Sequence, residues 1–493
     1  FVLTTGVNDG PAFTASSSAG VVFDATTSNS LSNGDVLVGG SGSDTLQASL
    51  NGANVNVNIS AIETVSITNV TAASTLNMAD ASDVTLIEIT SSTADLTLNN
   101  IQAVPTVTIN TNAVATNLDF AEVALSGAAD TLQINLEGIS NPAGAGTGDI
   151  TISRAAGATA DLEQVTLNST LVANVVEDLD VSDVDTTTLG VIGDQDLTIS
   201  GTLDTDIATV SAGDFTGDLT LTLSATATTL TSGSGADNVT VGSSDDSVAM
   251  GDGNDNVDIS AANFASTVTI GGGDGADSIT LTDAATVIDA DFTNVTSVET
   301  LTADADNTQD ITLGALADAA GIRTVNAADA VGNDEINVGA GFTSALTVNM
   351  AADNLANTVS TDVLASAYTG ALTINAAITT TDDHAATLTG GTGTADKLNL
   401  LIDESDDAVL TGVSGIESIV LADGNADADH TTAVTLADVN ATYTSATDYQ
   451  TLTVDATAIG ASGDTVNISA AAELDAKVVL KGGDGANNIT LSA

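Results

Sequence analysis

Short runs in which apolar and polar residues alternate recur along the whole chain: 54–59 (NVNVNI), 64–68 (TVSIT), 106–110, 132–136, 149–153, 164–167, 196–200, 218–224, 267–270, 278–281, 371–375 and 451–455. They are rich in Val, Ile, Leu and Thr and are separated by Gly, Asn, Asp or Ser, which predicts brief strands joined by tight turns. In 218–224, Leu219, Leu221 and Leu223 fall on one side, with Thr220, Thr222 and Ser224 on the other. One apolar and one hydroxyl face is what a half-buried sheet needs. Helical signal is limited to 314–321 and 470–477, which read as surface decorations.

The densest signal lies at 232–258, SGSGADNVT-VGSSDDSVA-MGDGNDNVD, three consecutive nine-residue units. Each has a glycine- or serine-rich turn, an aspartate (Asp237, Asp246, Asp255) and one apolar residue (Val239, Val248, Val257) that should enter the interior. This resembles the calcium-binding β-helix repeat of the repeat-in-toxin type. The resemblance implies an all-β chain, an elongated right-handed parallel β-helix (β-solenoid) with calcium-binding turns and minor short helices. If two units make one coil, turns eighteen residues apart stack, and their carboxylates crowd together unless a hard, oxygen-loving cation holds them.

A longer repeat overlies the short one. The segment 39–46 (GGSGSDTL) is followed by Glu63 in IETV, 272–279 (GGDGADSI) by Glu299 in VETL, and 390–398 (GGTGTADKL) by Glu417 in IESI. The aspartate-to-glutamate gaps are 19, 22 and 21 residues, from 63−44, 299−277 and 417−396, or about one coil. Along the chain we divide a lead-in at 1–30, a first solenoid part at 31–230, a calcium-binding segment at 231–300 and a second solenoid part at 301–493. The segment 482–493 (GGDGANNITLSA) begins another unit, and we expect the natural chain to continue beyond it or its edge to meet another molecule. No leader-like segment opens the chain, and Phe1 is not an initiator methionine, so we expect a processed chain or a segment of a longer one.

Composition narrows the reading. Aromatic residues are only 2% of 493, with no Trp, which suits a narrow solenoid interior filled by small aliphatic side chains. Disorder is excluded because 43% of residues are hydrophobic and fall in regular runs. The 66 acidic residues outnumber the 5 basic ones, giving a net charge of −61. Such a field repels phosphate backbones and anionic membranes, so nucleic acid is not an expected partner. No apolar run reaches the roughly 18–20 residues of a membrane span. There is no Cys, hence no disulfide, thiolate site or Cys nucleophile.

Candidate Ca²⁺ ligands follow from stacking. Gly233, Gly235 and Asp237 should lie under Gly251, Gly253 and Asp255, with one ion between them. Gly273, Gly275 and Asp277, one longer coil on, could extend the ladder to a second. Asp246 faces the opposite edge, where Thr228 and Phe264 are its neighbours, so its site should be weak, completed differently or empty. Asp35 and the turn Gly40, Gly42 and Asp44 lie on opposite edges and each needs help from elsewhere. Gly483, Gly485 and Asn487 form a turn with an uncharged oxygen. Six to eight oxygens at roughly 2.3–2.6 Å suit Ca²⁺ rather than Mg²⁺. Asp423, Asn425, Asp427 and Asp429 alternate as in an EF-hand loop but lack its glycine and closing glutamate, and read as a solvated acidic loop.

His384 and His430 are the two histidines, set in acidic segments, and no HExxH, GxSxG or phosphate-binding glycine loop is present. The chain is therefore not expected to be an enzyme. Tandem glycine-aspartate turns, Ala/Thr/Val-rich coils, apolar-Glu-Thr segments, the opening FVLTTGVND and the acidity together resemble bacterial surface-layer proteins of the repeat-in-toxin class. The resemblance implies type I secretion, folding on calcium outside the cell, and assembly of copies of the chain into a layer, sheath or filament at the cell surface. It also implies an envelope-polysaccharide anchor, which would have to lie in a region not present here. Two alternatives stand beside it: an adhesin or biofilm-matrix protein, and a secreted β-helix enzyme acting on polysaccharide.

Overall fold

A computed structural model describes residues 1–9, 13–110, 114–139, 149–303, 308–327, 334–352, 361–378, 386–402, 407–423, 431–437, 443–445, 448–449, 451–459, 465–472, 477–483 and 486–491. The chain is an all-β solenoid with parallel sheets. It forms two compact units, Phe1–Asp255 and Asn256–Ala493. Within each, a strand pairs in parallel with the strand one coil later: Leu221 stands over Val239 and Val257 over Ile279.

In the first unit one sheet begins at Val22–Ala25 and Thr45–Leu50 and climbs to Thr229–Thr231 and Ser247–Ala249. Opposite it stands a seven-stranded sheet running from Val36–Val38 to Leu179–Asp180. At Asn174–Val176 another sheet begins and continues through Leu197–Thr202, Leu219–Thr222 and Asn238–Thr240. Most strand Leu, Ile and Val side chains point inward, so the core is a stack of aliphatic columns; Val65, Ile87 and Val107 are fully buried, one above the other. Burial of that kind is worth roughly 1.5–3 kcal/mol per side chain, and it fixes the register because a one-residue slip would turn the column outward.

The second unit repeats the design with a long sheet from Asn256–Ile259 to Lys477–Lys481, a six-stranded sheet from Ala285–Val287 to Val413–Ser414, and a four-stranded sheet ending at Ala486–Leu491. On the outer face of the long sheet, Thr302, Asn326, Asn349, Asn375 and Asn399 are in register, and each asparagine amide donates to the oxygen of the residue one coil before, at 2.7–3.4 Å.

All twelve alternating runs contain strands, and Val239, Val248 and Val257 face the interior as expected. Three expectations are corrected. Ala470 and Lys477 are the ends of strands Thr465–Ala470 and Lys477–Lys481, each held by parallel pairing, while 473–476 of the expected helical piece lie outside the described residues. The helix Ala315–Ala320 exists but is no mere decoration, because Ala317 and Ala320 are buried and Gly321 ends it in a left-handed conformation at φ 112°. Ser224 is buried rather than outward: the strand stops at Thr222 and the chain turns the corner, where the Ser224 hydroxyl pairs with Thr226 at 2.8 Å.

Candidate functional site

The glycine-aspartate turns supply the chain's densest group of buried ionisable side chains. Asp237 and Asp255 do stack, but not by pressing carboxylates together. The Asp237 backbone N–H donates to Asp255 Oδ1 at 2.8 Å, and Leu219 N–H donates to Asp237 Oδ1 at 2.7 Å, each across eighteen residues. The Ser232 hydroxyl closes on the other Asp237 oxygen. On the opposite edge Asp246 does the same for Thr228, whose N–H donates to Oδ1 at 2.7 Å, while Ser243 and Gly242 donate to Oδ2 at 2.9 and 3.1 Å. Each aspartate is thus a cap on the coil below it. Each carboxylate turns onto a peptide N–H of the coil below, and the Asp237 and Asp255 turns stack on successive coils.

The other turns follow the same rule. Asp44 accepts from Val21 N–H at 2.6 Å and Gly40 N–H at 2.5 Å, and Asp35 from Asn8 N–H at 2.6 Å and Ser32 N–H at 2.7 Å. The strands that follow them, Val36–Val38 and Thr45–Leu50, lie in different sheets. Asp396, a turn aspartate not picked as a ligand from the sequence, accepts from Leu372 N–H and Gly391 N–H at 2.9 and 2.6 Å. Asn487 is exposed and accepts from Gly483 N–H at 3.0 Å, keeping half of the pattern without the charge. Gly485, His384, His430 and residues 425–429 of the acidic run lie outside the described residues.

The longer repeat is a clasp. Asp44 N–H donates to Glu63 Oε2 at 2.7 Å, Asp277 N–H to Glu299 Oε2 at 2.8 Å, and Asp396 N–H to Glu417 Oε2 at 2.9 Å. In return the aspartate carbonyls accept the backbone N–H of the glutamate and of the residue after it. A fourth clasp, Asp130 N–H to Glu163 Oε2 at 2.7 Å, spans 33 residues. Its lengthened loop and its turn AAD in place of GGxGxD hid it from a search by spacing.

Glycine is required at the turns by close backbone approach. A Cβ on Gly233 would overlap the Phe215 carbonyl oxygen, and on Gly235 that of Gly217. A Cβ on Gly251 would overlap the Gly233 oxygen, and on Gly253 that of Gly235. Gly251, Gly253, Gly273 and Gly275 also hold positive φ, at 90°, 145°, 104° and 157°. In Phe1–Asp255 the result is two columns of carbonyl oxygens beside a buried carboxylate. Such a donor set is all oxygen, the chemistry that Ca²⁺ takes and that softer metals do not. Among the described residues no three acidic or histidine side chains converge on one point, so an ion there would draw mainly on main-chain carbonyls.

Burial pushes the Asp237 and Asp246 carboxyls above the ordinary 3.8, against the opposing pull of their hydrogen bonds. Three of the five basic residues are paired elsewhere: Arg154 with Asp161 and Asp185, Arg323 with Asp318, and Lys481 with Asp455. No helix among the described residues is long and apolar enough to cross a membrane. No protein-family model, curated protein or solved structure matches the chain.

Proposed function

We propose that this is an extracellular structural protein, a right-handed solenoid of the repeat-in-toxin surface-layer kind, that folds on Ca²⁺ and assembles with copies of itself into a layer, sheath or filament at the cell surface. The observation that carries the reading is the chemistry of the corners. Asp35, Asp44, Asp237, Asp246 and Asp396 are at most 2% exposed, and the partners described for them are peptide N–H groups, a side-chain amide and hydroxyls rather than cations. Burial disfavours the charged form of Asp237 and Asp246, and a divalent ion is the counter-charge that a chain with five basic residues does not itself supply.

Asp237 and Asp255, with the carbonyls of Phe215, Gly217, Gly233 and Gly235, are the residues that would hold an ion. Bound there, Ca²⁺ supplies charge neutralisation and a clamp between coils. It must compete with peptide N–H groups for each carboxylate, which keeps affinity near the roughly 10⁻⁴–10⁻³ M of extracellular modules. Such affinity stabilises the folded chain where calcium is plentiful, outside a cell, and adds little where it is scarce, inside one. Electron microscopy of the purified protein in millimolar calcium, and again after chelation, tests the assembly. Ordered arrays or filaments that dissolve on chelation are expected; discrete particles under both conditions would favour an adhesin or a secreted enzyme.

A further inference from the structure

We propose that the outer face of the long sheet in the second unit, between strands Ser278–Leu281 and Lys397–Ile402, is the surface on which a second copy of this chain docks. The proposal rests on the self-assembly reading and names the face that carries it. Two outward columns cover that face. One is hydroxyl-bearing, with Thr300, Thr324, Thr347 and Thr373 in register; the other is the threonine-asparagine ladder described above. From Ser278 to Asn375 neither column holds a charge, and the hydroxyl column meets its one charge on this face at Lys397, in register with Thr373.

The neighbouring six-stranded sheet is the opposite case. Its outward residues Asp310, Glu335 and Asp362 stand in register on successive coils, about 4.7–4.9 Å apart. Between Ser278–Leu281 and Lys397–Ile402 the two columns of the long sheet are free of carboxylates, which return only beyond them, at Asp258 and Asp455. For two copies of a chain carrying −61, that sorting decides the contact: each carboxylate pair brought to about 4 Å opposes association by about 1 kcal/mol even in water, whereas the ladder face adds none.

Two further features fit a copy rather than solvent. The asparagine amides are already hydrogen-bonded to each other along the stack, so they lose little freedom on contact. In-register parallel sheets bearing such ladders pack face to face. Beside the ladder runs an outward apolar column of Ala377, Leu401 and Ala422, with Leu401 43% exposed. It floors a shallow trough of about 360 Å³ shared with Asn375 and Asn399.

The test compares three full-length proteins by sedimentation velocity in millimolar calcium, with circular dichroism to check folding. They are the parent, a variant that charges the hydroxyl column beside the ladder, Thr324→Asp/Thr347→Asp/Thr373→Asp (the ladder variant), and a control with the same added charge on the acidic sheet, Thr286→Asp/Thr312→Asp/Thr389→Asp. The single variant Leu401→Asp covers the case in which the ladder variant fails to fold. The proposal expects at least tenfold weaker association for the ladder variant and for Leu401→Asp, with the control close to the parent. Equal association of all proteins, or equal loss in variant and control, overturns the docking face while leaving assembly intact. A parent that stays monomeric overturns the assembly reading itself. A monomeric parent that adsorbs to an insoluble neutral polysaccharide through this face, in a manner lost in the ladder variant, overturns the choice of occupant.

Discussion

At the scale of single residues, the corner aspartate has two jobs that one substitution can separate. Removing the Asp237 side chain strands the buried Leu219 amide and frees the Ser232 hydroxyl, each worth roughly 1–3 kcal/mol when left unpaired. Asp237→Ala should therefore lose at least about 2 kcal/mol in urea unfolding, with or without calcium. Asp237→Asn keeps an acceptor for the amide and deletes the charge. Its chelated form should be close to the parent in stability, and its gain on adding calcium should shrink. A full calcium response in Asp237→Asn would remove this aspartate from the ion's ligands. The pH dependence has a fixed sign. Because burial raises the Asp237 and Asp246 carboxyls above 3.8, the folded state binds their protons more tightly than the unfolded state. Their contribution to stability is fully present below 3.8 and is lost as pH rises through the raised folded value. Chelated protein should thus melt at a higher temperature near pH 4.5 than at pH 7.5. Asp318 and Asp455, held down at about 2, act in the reverse sense: their contribution is present above 3.8 and fades as pH falls toward 2. A melting temperature that falls steadily from pH 7.5 to 4.5 would contradict the assignment.

At the scale of the coil, stability comes from how a glycine-aspartate turn is tied to the glutamate one coil on. Glu299 accepts the Asp277 N–H, while Asp277 C=O accepts the N–H groups of Glu299 and Thr300 at 3.1 and 3.0 Å. Glu299→Gln preserves the acceptor and should cost under about 1 kcal/mol, whereas Glu299→Ala leaves the amide unpaired and should cost about 1–3 kcal/mol, measured by denaturant unfolding. Equal losses in the two would mean that charge rather than hydrogen bonding matters at the clasp. These elements also show what the amino-acid pattern could reveal. Strands were legible because period two and parallel stacking act on the same Leu, Ile and Val positions. The clasps at Glu63, Glu299 and Glu417 were legible because their spacing equals one coil. The clasp at Glu163 was not, since an inserted loop breaks the period. The direction of the aspartates was missed because spacing fixes which turns stack but not whether a carboxylate faces an ion or a peptide N–H. The asparagine ladder left a readable trace, TVNA, TVNM, TINA and KLNL at intervals of 23, 26 and 24 residues, but only the register makes it a column.

At the scale of the molecule, charge is arranged rather than merely abundant. Carboxylates at the corners are buried against amides, those of Asp310, Glu335 and Asp362 form a row from exposed to half-buried, and the threonine-asparagine face between Ser278–Leu281 and Lys397–Ile402 has none. The buried set links folding to divalent ions, since anything that binds the folded form alone stabilises it by mass action, about 1.4 kcal/mol per site at ten times the dissociation constant. The most direct measurement is the thermal unfolding midpoint at constant ionic strength in 5 mM-scale (~5 mM) calcium, in the same concentration of magnesium, and in chelator. The account predicts a clearly higher midpoint in calcium alone, with magnesium close to chelator. Superimposable curves in all three would contradict it.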